Sequence, residues 1–370
     1  MLGRHIRLAQ VVLPCPDLAA TLAFFTGQLG FKVNLIMPAD APSLAVISGH
    51  GLTLRLESAK ESAQTTAAAP TELHLLCDLA TLPQDAPRDL VAPGGMRIRL
   101  VDAISRLELP EGRQEFVLCR MGGTDAWGVG RAGMQYRDLI PSRLGGRFVA
   151  SHIRIPEGGP VPDYVHFHKI RFQMIYCKTG WARLVYEDQG EPFLLTAGDC
   201  VLQPPEIRHR VLEASAGLEV IEIGCPAVHE TFADHNLSLP TPHLLPDRSF
   251  GGQRFVRHIA AKAEWLPWRL GGFEARDIGI AAATGGLAGV KVARPLPGTL
   301  AKAAAPAHRG EFLFFFVLAG GMGLQGDGFG AHRLQAGDSC VIPAGSAYAL
   351  EAEAGLELLE VSLPAELPAA

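Results

Sequence analysis

Residues 164–211, YVHFHKIRFQMIYCKTGWARLVYEDQGEPFLLTAGDCVLQPPEIRHRV, decide the fold. The first part of this stretch alternates apolar and polar residues up to Gly180, and a period-two pattern predicts a β-strand. His166 and His168 lie two positions apart within it. Because residues i and i+2 of an extended strand share a face, we expect the two imidazoles to point the same way.

A third histidine follows at the end of the same stretch. A Gly198-Asp199 turn leads through the rigid pair Pro204-Pro205 to His209. Imidazole is a preferred ligand of iron, nickel, copper and zinc. The stretch therefore predicts a small β-barrel that holds a metal ion on three histidines. The structural alternative is a set of three histidines whose hydrogen bonds are satisfied inside the barrel.

The stretch resembles the two motifs of the cupin superfamily, which read G…HxH…E…G and G…P…H. The residues that carry the first motif are Gly159, His166, His168, Gln173 and Gly180, and those that carry the second are Gly198, Pro204 and His209. One position departs from the family pattern, because Gln173 stands where cupins usually have a glutamate ligand. The resemblance implies a ligand set of His166, His168, Gln173 and His209. It leaves open whether Gln173 is a ligand or a hydrogen-bond partner of a bound water or substrate oxygen.

An internal repeat with a nearly constant offset predicts a second barrel. The matching segments are GMQYRDL at 133–139 with GFEARDI at 272–278, HIRIP at 152–156 with KVARP at 291–295, and TAGDCVLQPPEIRHRV at 196–211 with QAGDSCVIPAGSAYAL at 335–350. We therefore predict a mainly β protein with two double-stranded β-helix (cupin) barrels, a bicupin. The predicted boundaries are 133–228 for barrel 1, 229–250 for a linker and 251–370 for barrel 2.

Barrel 2 keeps the turns of the repeat but loses its histidines. The positions matching His166, His168, Gln173 and His209 are about Pro306, His308, Leu313 and Tyr348. Since this copy is built without the triad, we predict that barrel 2 is degenerate and binds no metal. The run FLFFFVLAG, residues 312–320, is apolar on both faces, which predicts a strand buried between the barrels or at a subunit interface. Bicupins often pair barrels edge to edge, so we expect a homodimer or a higher homo-oligomer.

Residues 1–105 form a separate α+β domain in this prediction, joined to barrel 1 by a connector at 106–132. An apolar strand is followed by a helix that Asp17 can cap, with Leu18, Leu22, Phe25 and Leu29 on one face, and then by three strands. This βαβββ order, with the phrase DLAATLAFFTGQLGFKV at 17–33, resembles the glyoxalase and extradiol dioxygenase family. A second module of the same kind, within residues 71–103, is interrupted by prolines and is degenerate in this interpretation.

The resemblance to the glyoxalase family implies a metal site that this domain has lost. Gln10 stands at the ligand position of the first strand, but Arg55 and Arg99 stand where the family has glutamate ligands. An arginine is cationic at all working pH values and cannot ligate a cation. The two arginines therefore either face solvent or form a pocket for an anion, since the guanidinium fork matches a carboxylate.

Composition and charge exclude several classes of partner. The net charge is −5, from 33 basic and 38 acidic residues, and no basic run of the kind that binds nucleic acid is present. No apolar segment approaches the roughly 20 residues of a membrane span. Seven scattered cysteines without CxxC spacing argue against disulfides and thiolate zinc sites, so we expect a reduced, cytoplasmic protein.

The three histidines would leave positions of the metal open, which is typical of a catalytic site. The cupin resemblance implies a mononuclear non-haem iron(II) dioxygenase, similar to gentisate and flavonol-cleaving bicupins, that cleaves a C–C bond of a chelating aromatic or dicarbonyl substrate. Gln173 adds no charge, which favours an anionic, oxygen-chelating substrate. Period-two alternation places Arg171 on the face of Gln173, where it could bind a substrate carboxylate.

Two other functions stay open at this point. One is a metal-dependent isomerase or lyase, in which the metal acts only as a Lewis acid. The other is a cupin that binds or senses a small molecule without turnover. Iron(II) is favoured as the cofactor, with nickel, manganese and zinc as other divalent candidates.

Overall fold

The computed structural model describes residues 2–27, 30–58, 72–91, 97–103, 107–122, 127–299 and 301–370. The chain forms two compact units. Unit 1 comprises residues 1–108 and 229–235, and unit 2 comprises residues 109–228 and 236–370. Within the described ranges, no helix combines the length and the apolar character needed to cross a membrane. All seven cysteines are free and buried.

Unit 1 is one mixed sheet with a helix on one face. Its strands are Ile6–Cys15, Lys32–Met37, Leu44–Gly49, Leu52–Ser58, Glu72–Cys77, Asp89–Val91, Arg97–Asp102 and Glu230–Ala233, and its α-helix is Leu18–Gly27. The first strand pairs in parallel with Leu52–Ser58 and antiparallel with Glu72–Cys77. The strand–helix–three-strand order over residues 6–58 is the predicted one, whereas the relation to the glyoxalase family stays a prediction.

The helix of unit 1 begins where the sequence predicted. The Asp17 carboxylate accepts a hydrogen bond from the backbone N–H of Ala20 at 2.8 Å, which satisfies one of the free donors of the first turn. Leu18, Leu22 and Phe25 contribute to a core with the sheet. Leu29, predicted on the same helix face, lies outside the described residues.

Barrel 1 of unit 2 is built from two facing sheets. The strands of one sheet are Gly128–Val129, Gln135–Asp138, Val149–Ile155, Phe172–Thr179, Cys200–Leu202, Leu218–Cys225 and Val256–His258. The strands of the other are Gly159–Pro160, His166–Lys169, Trp181–Tyr186, Phe193–Thr196 and His209–Ala214. A short two-stranded ribbon follows at Ser249–Phe250 and Gln253–Arg254.

Barrel 2 repeats this plan in the later part of the chain. The strands of its larger sheet are Leu266–Pro267, Phe273–Asp277, Gly289–Pro295, Phe312–Ala319, Ser339–Val341 and Glu357–Leu363, together with Val117–Cys119. Its smaller sheet contains Lys302–Ala305, Gly321–Gly326, Gly330–Gln335 and Tyr348–Ala352, and a one-turn helix spans Ile280–Ala283. The repeat read from the sequence is therefore a repeat of barrels, and the predicted mainly β, two-barrel fold is confirmed.

In each barrel, one strand comes from a distant part of the chain. Val117–Cys119, which lies before barrel 1 in the sequence, pairs with Ser339–Val341 of barrel 2. Val256–His258, which lies after barrel 1, pairs with Cys200–Leu202 of barrel 1. The two barrels are therefore linked by main-chain hydrogen bonds as well as by side-chain packing.

The turns that recur in both copies have a steric cause, which Gly180 and Gly320 illustrate. Both have positive φ, +76° and +67°. A Cβ atom on Gly180 would lie 2.3 Å from Oγ of Ser215, and one on Gly320 would lie 2.5 Å from the carbonyl carbon of Gly355. Glycine is thus required twice, at the same turn of each barrel.

The barrels share one apolar core. Phe172 and Met174 of barrel 1 and Phe314 and Phe316 of barrel 2 belong to it, and all four are fully buried. In the strand Phe312–Ala319 the alternate residues face the interior of barrel 2 instead. This strand is buried on both faces between the barrels, as its double-sided apolar pattern predicted.

Polar contacts also cross between the barrels. The guanidinium of Arg137, which is 1% exposed, donates to the carbonyl of Gly337 at 2.8 Å. It also contacts Nδ1 of His152 at 3.2 Å, and Nε2 of His152 lies 2.9 Å from the Glu219 carboxylate. Burial, with the nearby charge of Arg137, lowers the pKa of His152 to about 4.

The buried His152 makes stability depend on pH. In the unfolded chain a histidine takes up a proton near pH 6.5, whereas folded His152 stays neutral down to about pH 4. The free energy of unfolding should therefore fall as the pH drops from 6.5 to 4. In His152→Phe this fall should be smaller by up to about 3 kcal/mol, measured by urea unfolding at several pH values. His243→Phe, at an exposed position, is the control. Equal pH slopes in the wild type and His152→Phe would contradict the assignment.

Candidate metal centre

Two neighbouring strands bring the three predicted histidines together. His166 lies directly opposite His209 in the antiparallel pair formed by His166–Lys169 and His209–Ala214. His168 is two residues further along the same strand and therefore on the same face. One ring nitrogen of each histidine can be chosen so that all three lie within 4.8 Å of one another. The side chains are 1%, 6% and 5% exposed, in the order His166, His168 and His209.

Backbone carbonyls set the orientation of two of these rings. Nδ1 of His166 lies 2.8 Å from the carbonyl oxygen of Tyr164, and Nδ1 of His209 lies 2.9 Å from that of Ile207. A carbonyl only accepts, so Nδ1 carries the proton in both rings and Nε2 keeps its lone pair. This arrangement is the usual one for a histidine that binds a metal through Nε2.

The environment also keeps these rings neutral. Burial lowers the pKa of His166 well below its usual value, and the charge of Arg131 adds to the effect. Burial lowers the pKa of His209 to about 4. Since a metal binds the unprotonated imidazole, the two rings are in the ligating form at neutral pH.

Gln173 has a free amide oxygen in the same barrel. Its side chain is 1% exposed, and its Nε2 donates to the carboxylate of Glu222 at 2.5 Å. A carboxylate only accepts here, so this contact fixes which end of the amide is nitrogen. Within the described part of the chain, Oε1 has no hydrogen-bond partner, although an orphaned buried oxygen is costly. An amide oxygen held in this way is suited to be a further ligand of a cation.

Arg131 and Asp163 complete the site, and the sequence prediction missed both. Nη2 of Arg131 lies 3.0 Å from Nε2 of His166. Nη1 of Arg131 forms an ion pair with the fully buried Asp163. Burial opposes the charge of Arg131, but the Asp163 carboxylate outweighs it, and the pKa of Arg131 is raised. Asp163 also accepts from the backbone N–H of Val211 at 3.0 Å, which anchors the pair to the barrel.

Tyr186 supports the third histidine. Its ring stacks on that of His209 at a centroid distance of 5.5 Å, and its hydroxyl donates to Oε1 of Gln203 at 2.6 Å. Burial raises the pKa of Tyr186 well above its usual value, so the hydroxyl stays protonated.

Arg171, predicted as a substrate-binding residue, is held by a carboxylate of the other barrel. Its Nη1 lies 2.9 Å from each carboxylate oxygen of Glu311, which also accepts from Arg147 at 2.6 Å. Arg171 precedes the strand Phe172–Thr179. The alternation of side chains along the strand, which places Gln173 in the barrel interior, therefore does not determine the direction of the Arg171 side chain. Arg131, not Arg171, is the arginine in contact with the histidines.

The residues present fit a divalent metal ion. The three clustered imidazoles, with the buried amide oxygen of Gln173 in the same barrel, would offer a metal uncharged donors, and Glu222 and Asp163 would supply negative charge through their contacts with Gln173 and Arg131. A metal on Nε2 of His166 would replace Arg131 there. In the part of the chain that the structure describes, no other cluster of three His, Cys, Asp or Glu residues has this geometry.

In unit 1, carboxylates neutralise the two arginines singled out from the sequence. Arg55 donates to Glu57 at 2.5 Å, and Arg99 donates to Asp89 at 2.8 Å. Gln10 is buried opposite His74 in the neighbouring strand. Arg55 and Arg99 retain 29% and 50% side-chain exposure, so each is a solvent-accessible ion pair.

Solved structures with a similar fold are cupin-type proteins. Protein Ylba from E. coli aligns with a TM-score of 0.50 and 15% identity, over 71% of this chain and 95% of that chain. A salicylate 1,2-dioxygenase from Pseudaminobacter salicylatoxidans aligns with a TM-score of 0.50 and 16% identity, over 69% of this chain and 86% of that chain. No protein-family model matches the sequence, and neither does any curated protein. The structural likenesses therefore show the cupin fold.

Replacing a histidine of the triad should abolish metal retention. His166→Ala removes one of the neutral ligands, and the metal content after desalting should fall by at least about tenfold relative to the wild type. The content is measured by mass spectrometry of the purified protein. The matched control is His308→Asn in barrel 2, which should retain the wild-type content. A His166→Ala protein with unchanged stoichiometric metal would contradict the site.

The contact between Gln173 and Glu222 allows a charge-swap test. Gln173→Glu alone sets two carboxylates against each other and should weaken folding. The double variant Gln173→Glu/Glu222→Gln restores the hydrogen bond and moves the negative charge onto the ligand. We expect the double variant to bind divalent metal at least about tenfold more tightly than the wild type, in competition with a chromogenic chelator. Equal affinity of the two proteins would mean that residue 173 is not a ligand.

Proposed function

We propose that the protein is a mononuclear non-haem iron(II) dioxygenase that cleaves a C–C bond of an anionic substrate chelating through two oxygens. The observation that supports the proposal is the cluster of His166, His168 and His209, with the buried amide oxygen of Gln173 in the same barrel and the buried cation Arg131 beside His166. A donor set without charge leaves the full charge of the metal to attract an anionic substrate.

When bound, the metal would supply a Lewis-acidic, redox-active centre at which the substrate and O₂ react. The protein's own contribution is to orient the ligands. Carbonyls of Tyr164 and Ile207 hold two rings with Nε2 available, and Glu222 turns the oxygen of Gln173 away from itself. Because these contacts exist before binding, the two rings and the amide would need little reorientation when the site is loaded.

Arg131 would bind a carboxylate of the substrate. Its guanidinium contacts Nε2 of His166, and loading the site would release Nη2 from that contact. Asp163 keeps the arginine charged and in place. A guanidinium then presents N–H donors to a carboxylate next to the chelated oxygens. This favours hydroxy- or oxo-substituted carboxylates, and the fold shared with a salicylate 1,2-dioxygenase supports the same class.

Oxygen uptake by the anaerobically iron(II)-loaded protein tests the proposal. The substrate panel contains salicylate, gentisate, catechol and a 1,3-diketone. We expect uptake with one or more of the carboxylates, and loss of it in His166→Ala. A protein that retains zinc or nickel and consumes no oxygen with any member would contradict the dioxygenase and favour an isomerase, a lyase or a sensor.

Arg131 gives a second, sharper test. Arg131→Met removes the donors but keeps an unbranched apolar side chain, and should raise KM for a carboxylate substrate at least about tenfold while metal content is retained. Arg131→Lys keeps the charge but not the fork, and should give an intermediate KM. An unchanged KM in Arg131→Met would remove the role assigned to this residue.

A further inference from the structure

Barrel 2 contains an open cavity of about 470 Å³ at the position that corresponds to the histidine cluster of barrel 1. Two backbone hydrogen bonds establish the correspondence. The N–H of Glu206 donates to the carbonyl of His168 at 3.0 Å, and the N–H of Gly345 donates to that of His308 at 2.8 Å. Ligand pockets have volumes of about 300 to 1,000 Å³, so the cavity can hold a small molecule.

Strand pairing aligns the rest of the two sites. Tyr348 lies opposite Ala305 as His209 lies opposite His166, so Ala305, rather than the predicted Pro306, takes the place of His166. Glu360, opposite Phe315, takes the place of Glu222, opposite Ile175.

In barrel 2 an arginine side chain supplies the positive charge that a metal ion would otherwise supply. Arg269 pairs with the buried carboxylate of Glu360 and donates to the hydroxyl of Tyr348 at 2.6 Å. Burial opposes its charge, but Glu360 outweighs this and the pKa of Arg269 is raised. The negative charge at the centre of barrel 2 is therefore neutralised from within, and the cavity does not require a metal ion.

His308 presents an unused hydrogen-bond donor in this cavity. The backbone N–H of Gly310 donates to Nδ1 of His308 at 3.0 Å, so Nδ1 is the acceptor and the proton of the neutral ring is on Nε2. Among the residues that the structure describes, Nε2 has no hydrogen-bond partner, and the carbonyl of Ile342, which lies near the ring, makes no hydrogen bond of normal geometry with it. His308 is 4% exposed and lines the cavity. A buried N–H without an acceptor is costly, which indicates that a ligand supplies one.

The other walls define the kind of ligand. The hydroxyl of Tyr348 accepts from Arg269 and can donate its own proton. Lys291 adds a positive charge, 3.9 Å from Asp277, and Glu366 adds a negative one. Most of the remaining lining is apolar, as at Leu270, Pro306 and Leu367. The carboxylate of Glu360 is engaged by Arg269, so the cavity offers mainly N–H and O–H donors.

We propose that barrel 2 is a metal-free binding site for a small organic carboxylate with an apolar body. The carboxylate accepts from Nε2 of His308 and from the hydroxyl of Tyr348, with Lys291 as the nearby cation, and the apolar body packs on Leu270 and Leu367. This site is independent of the metal and of the activity proposed for barrel 1.

Calorimetric titration of the full-length, chelator-treated protein with benzoate tests the proposal, with benzamide as the neutral analogue. We expect about one benzoate per chain and at least about tenfold weaker binding of benzamide, because an amide lacks the charge that strengthens the hydrogen bonds. The chelator removes the metal ion through which barrel 1 would bind a carboxylate.

Two substitutions of His308 separate its donor from its structural role. In His308→Asn, Oδ1 replaces Nδ1 as the acceptor for Gly310 but nothing replaces Nε2, and Kd for benzoate should rise at least about tenfold. In His308→Gln, the amide nitrogen takes the place of Nε2, and Kd should stay within about threefold. Tyr348→Phe, which keeps the ring, should also weaken binding at least about tenfold and serves if His308→Asn does not fold.

Several results would overturn the proposal. These are no benzoate binding at millimolar concentration, equal binding of benzamide, or unchanged binding in His308→Asn or Tyr348→Phe. Loss of binding in His166→Ala together with its retention in His308→Asn would place the site in barrel 1. Failure of the metal or oxygen tests on barrel 1 leaves these expectations unchanged, so the two proposals fail separately.

Discussion

The structure of unit 2 depends on the apolar core that its two barrels share. The strands Phe172–Thr179 and Phe312–Ala319 each turn one face into this core and the other into their own barrel. Each Å² of apolar surface that is removed from water stabilises the fold by about 25 cal/mol, so burial in this core is the dominant stabilising term. Gln173 lies on the strand Phe172–Thr179, and its backbone carbonyl binds the N–H of Gln203 in the segment that leads to His209. The packing between the barrels therefore also positions the candidate site.

The two barrels show two ways of balancing charge in the same interior. Each has a glutamate at the same place in the sheet, Glu222 in one and Glu360 in the other, and each has an arginine in an ion pair, Arg131 in one and Arg269 in the other. In barrel 2 the arginine reaches the glutamate directly. In barrel 1, Asp163 pairs with the arginine instead, Gln173 donates to the glutamate, and three imidazoles lie close together where a cation could bind. A few side chains thus decide whether the barrel centre holds an internal ion pair or can accept a metal.

The sequence predicted the parts of the site that follow from local spacing. The strand period places His166 and His168 on one face, and the repeat predicted two barrels. Arg131 was missed because it lies in a glycine-rich stretch with no strand pattern. Glu222 was missed because a charged residue in an alternating strand looks the same whether it faces water or a barrel interior. The repeat held a usable signal for Glu222, which recurs in barrel 2 as Glu360. The partner of Arg171 could not be predicted, because Glu311 is distant in the sequence and is brought close only by the packing of the barrels.

The exchange of strands between the barrels has a consequence for synthesis on the ribosome. Barrel 1 obtains its edge strand from Val256–His258, so its larger sheet stays incomplete until that segment has left the exit tunnel. Val117–Cys119 emerges early, but it cannot form its strand pair until Ser339–Val341 has been made, which happens only after the whole of barrel 1. Domains of a nascent chain usually fold one after the other as they emerge. Here neither barrel can reach its final form from its own segment alone, and Val117–Cys119 lacks its final partner while barrel 1 and most of barrel 2 are being made.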